Sequence, residues 1–260
     1  MALITIMNEF VSLLPLAHEP VFLALAMGAV VAAYAVFTLV GFGSALMASA
    51  PLALVMPVAK VVPMLAILDF GGSSLRGWRA RKDVAWKEFR QLFPGMLLGQ
   101  LLGVLVLSRV PATMMAVVLG LFVVFQGIRG FSKKTPAADV GVSPAIAYGV
   151  FGGVLGGLFG SGGFVYASYL ERRLENRAAF RATQAVLIAL STGWRIVLCL
   201  SVGLLDLKLV VVTLIFAPAM ALGVYLGQRI DLRISREQLF LFLNGLLVAS
   251  GLSLIARFLA

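Results

Sequence analysis

Charge is the scarcest feature of this chain. Only 12% of its 260 residues are Asp, Glu, Lys or Arg, and 61% are hydrophobic, whereas a soluble domain keeps about a quarter of its residues charged. A soluble globule is therefore excluded, and an all-α integral membrane protein is expected. Histidine and cysteine occur once each, as His18 and Cys199. That rules out an intramolecular disulfide and leaves no set of soft ligands for a metal. Cys199 reads as a small buried hydrophobe. No Ser/His/Asp set or redox motif is present, so neither an enzyme nor a cofactor is expected. The first twenty residues, MALITIMNEFVSLLPLAHEP, hold no Lys or Arg. Residues 1–19 therefore read as an interfacial segment, not a cleaved signal peptide.

What charge there is has one sign, with 21 Lys and Arg against 11 Asp and Glu. The basic residues fall in short loops between apolar runs, the pattern of cytoplasmic loops and not of a nucleic-acid surface. Hydropathy breaks mark ten segments at 20–40, 43–58, 60–76, 91–108, 112–130, 143–160, 162–171, 182–203, 208–228 and 238–257. The second and seventh are short for a spanning helix. Counting both as crossings puts most of the basic residues, in loops 76–90, 129–142, 171–181 and 229–236, on one side. The positive-inside rule then predicts a multi-pass membrane protein with its basic loops cytoplasmic and both termini outside. The stretch RARKDVAWKEFRQLF, 79–93, interleaves basic and aromatic residues and reads as an interfacial helix.

The chain repeats. PGMLLGQLLG from Pro94 and PAMALGVYLG from Pro218 both read Pro-x4-Gly-x3-Gly, about 124 residues apart. Asp83 and Asp206 lie in matching loops, Gly120 and Gly127 parallel Gly245 and Gly251, and VGFGSAL parallels FGSGGF. Five segments per half predict two inverted-topology repeats, 20–131 and 143–260, joined by a cytoplasmic linker over 132–142.

The glycines divide into two kinds. Gly149, Gly152, Gly153, Gly156 and Gly157 recur at three- and four-residue spacing, as on a helix-packing face. Gly160, Ser161, Gly162 and Gly163 surround a helix with small residues and are expected to break it. In the first half Gly41, Gly43 and Ser44, with Ser49, Pro51 and Pro57 beyond, are interrupted in the same way. Paired breaks point to a transporter site whose helix N-termini hold an anion through backbone N–H groups, or to packing alone. A phosphate loop is excluded because no strand or GxGxxG spacing accompanies the glycines.

Ionisable groups inside apolar segments are candidates by default. Arg195 would complement an anion or form a structural pair. Asp69 would carry a coupling proton or pair with an arginine. Gln184, Ser191, Thr192, Asn244 and Gln100 are weaker pore-lining candidates that could equally bond neighbouring helices.

The breaks at Gly41–Ser44 and Gly160–Gly163, the Asp83 and Asp206 loops and the paired Pro-x4-Gly-x3-Gly segments resemble the TauE/SafE sulfite exporter family over residues 20 to 258. The chain departs from the usual family pattern in FVYASYL, which lacks the proline commonly found after the second glycine run. The resemblance implies export of a small sulfur-containing anion such as sulfite or sulfoacetate from the bacterial cytoplasm. The expectation is a secondary transporter working by alternating access, with a coupling proton and a homodimer as candidate partners besides the bilayer. A passive anion channel, or a transporter of an unrelated small anionic metabolite, is the alternative.

Overall fold

A computed structural model describes residues 20–40, 43–131, 145–229 and 236–259. The expectations for Gly41, the segment 1–19 and the linker 132–142 lie outside these residues. Among them are ten α-helices and no strand: α1 (Pro20–Val40), α2 (Ser44–Ala53), α3 (Val58–Arg79), α4 (Trp86–Arg109), α5 (Ala112–Phe131), α6 (Ala145–Phe159), α7 (Gly163–Arg173), α8 (Arg177–Ser201), α9 (Leu207–Arg229) and α10 (Arg236–Leu259). A 3-10 turn, Arg81–Asp83, links α3 to α4.

Helices α3, α4, α5, α8 and α9 are long and apolar enough to cross a bilayer. The chain is an all-α membrane protein. At about 1.5 Å per residue, the 10 residues of α2 and the 11 of α7 reach roughly 15 Å, about half the hydrocarbon thickness. They cannot cross unaided. The 15 residues of α6 also stop short.

Helix boundaries follow local chemistry. Asn176 caps α8, its side chain accepting from the N–H groups of Ala178 (2.8 Å) and Ala179 (3.4 Å). Asp206 accepts from Leu209 N at 2.8 Å at the start of α9 and pairs with Lys60 at 2.9 Å. Close glycine seams hold the bundle together. On α4 a Cβ at Gly103 would sit 2.5 Å from the Val154 carbonyl of α6, and on α9 a Cβ at Gly227 would sit 2.6 Å from the Ala35 carbonyl of α1. Gly99 and Gly223 meet the Val150 and Val31 carbonyls in the same way. Each glycine of the two Pro-x4-Gly-x3-Gly motifs thus lets backbone touch backbone. The α3–α8 contact is reciprocal: a Cβ on Gly77 would lie 3.3 Å from Val186, and one on Gly193 would lie 3.0 Å from Phe70.

The expectation of one packing face on α6 needs correction. Gly149, Gly153 and Gly157 lie against the α4 backbone, while Gly152 meets Tyr166 of α7 and Gly156 sits between the Gln100 side chain of α4 and Gly162, just before α7. The spacing makes two stripes because α6 is flanked on two sides, by α4 and by its own continuation α7.

Candidate functional site

Two helix starts flanked by glycine, those of α2 and α7, meet. Gly160 ends α6 in the left-handed region, φ 75°, with its N–H donating to the Gly156 carbonyl at 3.0 Å. This is the glycine-terminated stop that a residue without a Cβ allows. Three residues later, at Gly163, α7 begins. In the first half Gly43, φ 98°, opens α2. Among the described residues no side chain caps α2 or α7, so the first N–H groups of these two helix starts have no intrahelical or side-chain partner there.

The two starts border one cavity of about 60 Å³. Each water-sized centre needs roughly 10–15 Å³, so this space suits an oxyanion head of a few atoms. Gly43, Ser44 and Asp69 line it from the first half, and Gly160, Ser161, Gly163, Ser191, Thr192 and Arg195 from the second. Phe37, Leu46, Phe164 and Ile188 supply the apolar wall. Most of the candidates named from sequence are therefore neighbours.

Arg195 is 2% exposed, and its Nε and Nη1 have no hydrogen-bond partner among the described residues. It touches the second break directly: a Cβ on Gly160 would lie 2.9 Å from Nη1 and 2.8 Å from the Cβ of Ala45. Asp69, 4% exposed, lines the same cavity without closing into an ion pair with Arg195. Its Oδ1 instead accepts from Tyr34 Oη and Ser44 Oγ, both at 2.7 Å. The expectation that Asp69 might simply pair with an arginine thus gives way to two hydroxyl bonds from α1 and α2.

The remaining hydroxyls are committed too. Thr192 Oγ1 donates to the Ile188 carbonyl at 2.8 Å, and Ser161 Oγ to that of Phe159 at 3.3 Å. Ser191 Oγ accepts from Gln100 Nε2 at 2.6 Å. Gln184 stands outside the lining, with its Nε2 donating to the Gly163 carbonyl at 2.7 Å and so bracing the start of α7. Gly162, in a right-handed conformation, does not line the cavity; its lack of a Cβ leaves room for the Gly152 carbonyl of α6 and, next, for Tyr166 Oη. Asn244 is not at the cavity. It packs between α10 and α5 against Gly130 and Gly127, a helix-packing contact.

Tyr34 and Phe37 were not singled out from sequence. Their signal was present: a tyrosine in an otherwise apolar run needs a partner for its hydroxyl, and Asp69 is the acid within reach. Among the described residues no group of three His, Cys, Asp or Glu could hold a metal.

The description "Sulfite exporter TauE/SafE" matches residues 25–254. The chain is 28% identical over 194 residues to "Probable inner membrane transporter protein TsaS" of Comamonas testosteroni, covering 74% of this chain and 81% of that protein. It is 26% identical over 203 residues to "Probable sulfite/organosulfonate exporter TauE" of Cupriavidus necator, covering 76% and 79%. No solved structure matches. With the family description running through both breaks and every helix that lines the cavity, the chain belongs to the TauE/SafE sulfite exporter family, a family of membrane transporters.

Proposed function

We propose that the protein is a secondary transporter of the bacterial inner membrane that exports a small anion, sulfite or an organosulfonate, by alternating access. The observation that carries this reading is Arg195: a buried guanidinium with two unpartnered nitrogens on a cavity that both helix breaks share. Leaving a buried charge uncompensated is strongly unfavourable. A bound anion resolves that cost, and the uncapped starts of α2 and α7 add N–H donors without further cations. Gly43, Ser44, Gly160, Ser161 and Gly163 form the backbone cradle, Ser191 adds a hydroxyl, and Asp69 takes up the coupling proton. The relatives' names support the chemistry of the cargo.

The halves are read as inverted repeats, 20–131 and 143–260. The like register in which Gly99 and Gly103 of α4 pack against α6 and Gly223 and Gly227 of α9 pack against α1 supports this, as does the reciprocal α3–α8 contact. Placing the site where two repeats meet allows one half to rock against the other around a fixed anion. Basic loops face the cytoplasm. The Ala85 N–H donating to Thr183 Oγ1 at 2.9 Å brings the loop 76–90 beside the start of α8, and Lys60–Asp206 lies toward the other ends of the same helices.

The test is flux and binding together. Wild-type protein is expected to be thermally stabilised by sulfite or a sulfonate and to carry saturable flux in proteoliposomes, both lost in Arg195→Ala. Unchanged sulfite flux and affinity in that variant would remove Arg195 from the mechanism. No stabilisation by any of sulfite, sulfate, thiosulfate and sulfonates would overturn the anion reading.

A further inference from the structure

The second glycine stripe of α6 clears space for side chains, not for backbone. A Cβ on Gly152 would lie 2.4 Å from the ring of Tyr166, and one on Gly156 would lie 3.2 Å from Gln100 Nε2. Both side chains are fully buried, and both converge on Ser191 of α8. Gln100 Nε2 donates to Ser191 Oγ at 2.6 Å, and the Tyr166 hydroxyl faces the same serine. Ser191 lines the cavity, whereas Tyr166 stands one layer behind it. We infer that Tyr166 is a positioning residue of the anion site, holding the Ser191 hydroxyl with its hydrogen toward the ligand. The inference rests on the anion-transport reading and deepens it.

A serine inside a helix commonly returns its hydrogen to a carbonyl of the preceding turn. Ser168 does so with Phe164, and Thr192, the neighbour of Ser191, with Ile188, both at 2.8 Å. Among the described residues Ser191 makes no such bond, and its oxygen accepts instead. A hydroxyl oxygen has two lone pairs. Gln100 fills one, and a bond from Tyr166 fills the other, which leaves Ser191 to act as a donor alone. A donor on the wall that carries Arg195 complements an anion.

In the structure the Tyr166 bond is open. Its Oη is buried and makes no hydrogen bond among the described residues, an arrangement that is unfavourable for a polar group. An anion that draws the Ser191 hydrogen makes the serine oxygen a better acceptor, because chained hydrogen bonds polarise one another. The bond from Tyr166 then closes, and its gain is credited to binding. A tyrosine with a purely structural role would instead stabilise the protein whether or not an anion is present.

The test is Tyr166→Phe in purified full-length protein, with melting read without added anion and with rising sulfite, sulfate, thiosulfate or methanesulfonate. Without anion the variant is expected to melt at the wild-type temperature or above it, because an unpartnered buried hydroxyl has been removed. For the anion that stabilises wild type most, its apparent Kd is expected to rise at least about fivefold. Ser191→Ala is expected to weaken binding as well, and Tyr166→Phe to add nothing on that background. A clearly lower melting temperature without anion, or failure of Tyr166→Phe to fold, overturns the proposal, since the hydroxyl would then have a structural partner. Unchanged affinity in Tyr166→Phe overturns it too, and leaves the anion site standing. Additive losses in the double variant overturn the route through Ser191; if Ser191→Ala does not fold, Tyr166→Phe alone decides. Should none of the four anions stabilise wild type, the anion-transport reading falls and this inference with it.

Discussion

In the first half a glycine at φ 98° precedes α2, and in the second a glycine at φ 75° follows α6. The backbones are alike, and each is followed by a serine on the cavity, Ser44 or Ser161. Their surroundings differ. A Cβ on Gly43 would meet no atom within 4 Å, while one on Gly160 would collide with Ala45 and with Arg195. The first break carries the acid through the Ser44–Asp69 bond, and the second carries the cation. Similar backbone at the two glycines thus stands beside opposite charges, and the cavity is formed only where the two segments come together.

The largest expected effect tests that difference. Gly160→Ala should lower the melting temperature and weaken anion binding by more than about tenfold, because the new methyl strains the backbone and displaces the guanidinium. Retained affinity in ligand-dependent melting would show that Arg195 is not held by contact with the break. Next come the seams. Gly103→Ala and Gly227→Ala should each destabilise by about 1–3 kcal/mol, as overpacking does, and by similar amounts, since both face a backbone carbonyl at nearly the same distance. Strongly unequal losses in denaturation would break the proposed equivalence of the halves.

Gly43→Ala is expected to cost about 1–2 kcal/mol, the left-handed penalty alone, with anion affinity unchanged. Loss of affinity there would mean that the first break is as tightly fitted as the second. The smallest effect belongs to Asp206. Partial burial pushes its carboxyl up, but the Lys60 hydrogen bond and then the Leu209 N–H outweigh it and hold the group below the usual carboxylate range. Its stabilisation is therefore present above the ordinary carboxylate value and fades as pH falls through the lowered one. The pair is partly exposed, so Asp206→Asn should cost about 0.2–1 kcal/mol near neutral pH and nothing once both states are protonated. An equal loss at both pH values, read by melting, would assign Asp206 a purely geometric role.

Much of this was legible in the sequence. The apolar runs bounded all ten helices to within a few residues because lipid demands long uncharged stretches. The breaks were visible because glycine and proline disrupt a helix locally. Partners were harder to read. Spacing on α6 could not tell which stripe meets α4 and which meets α7, and Asn244 looked like Ser191 until packing placed one at α5 and the other at the cavity.

The tripeptide Gly-Trp-Arg marks the boundary between the two kinds of knowledge. It occurs as Gly77–Arg79 on α3 and as Gly193–Arg195 on α8, and each glycine lies at the mutual contact of those helices. Yet Arg79 is exposed at the end of its helix, whereas Arg195 is buried beside a glycine break with nitrogens to spare. Composition and periodicity determined that this chain lies in a membrane as helices, two of them interrupted, because those demands act along the chain. Which arginine faces the cavity, and which acid faces it in turn, was decided only by the tertiary structure, because burial and unpaired charge arise where distant segments meet.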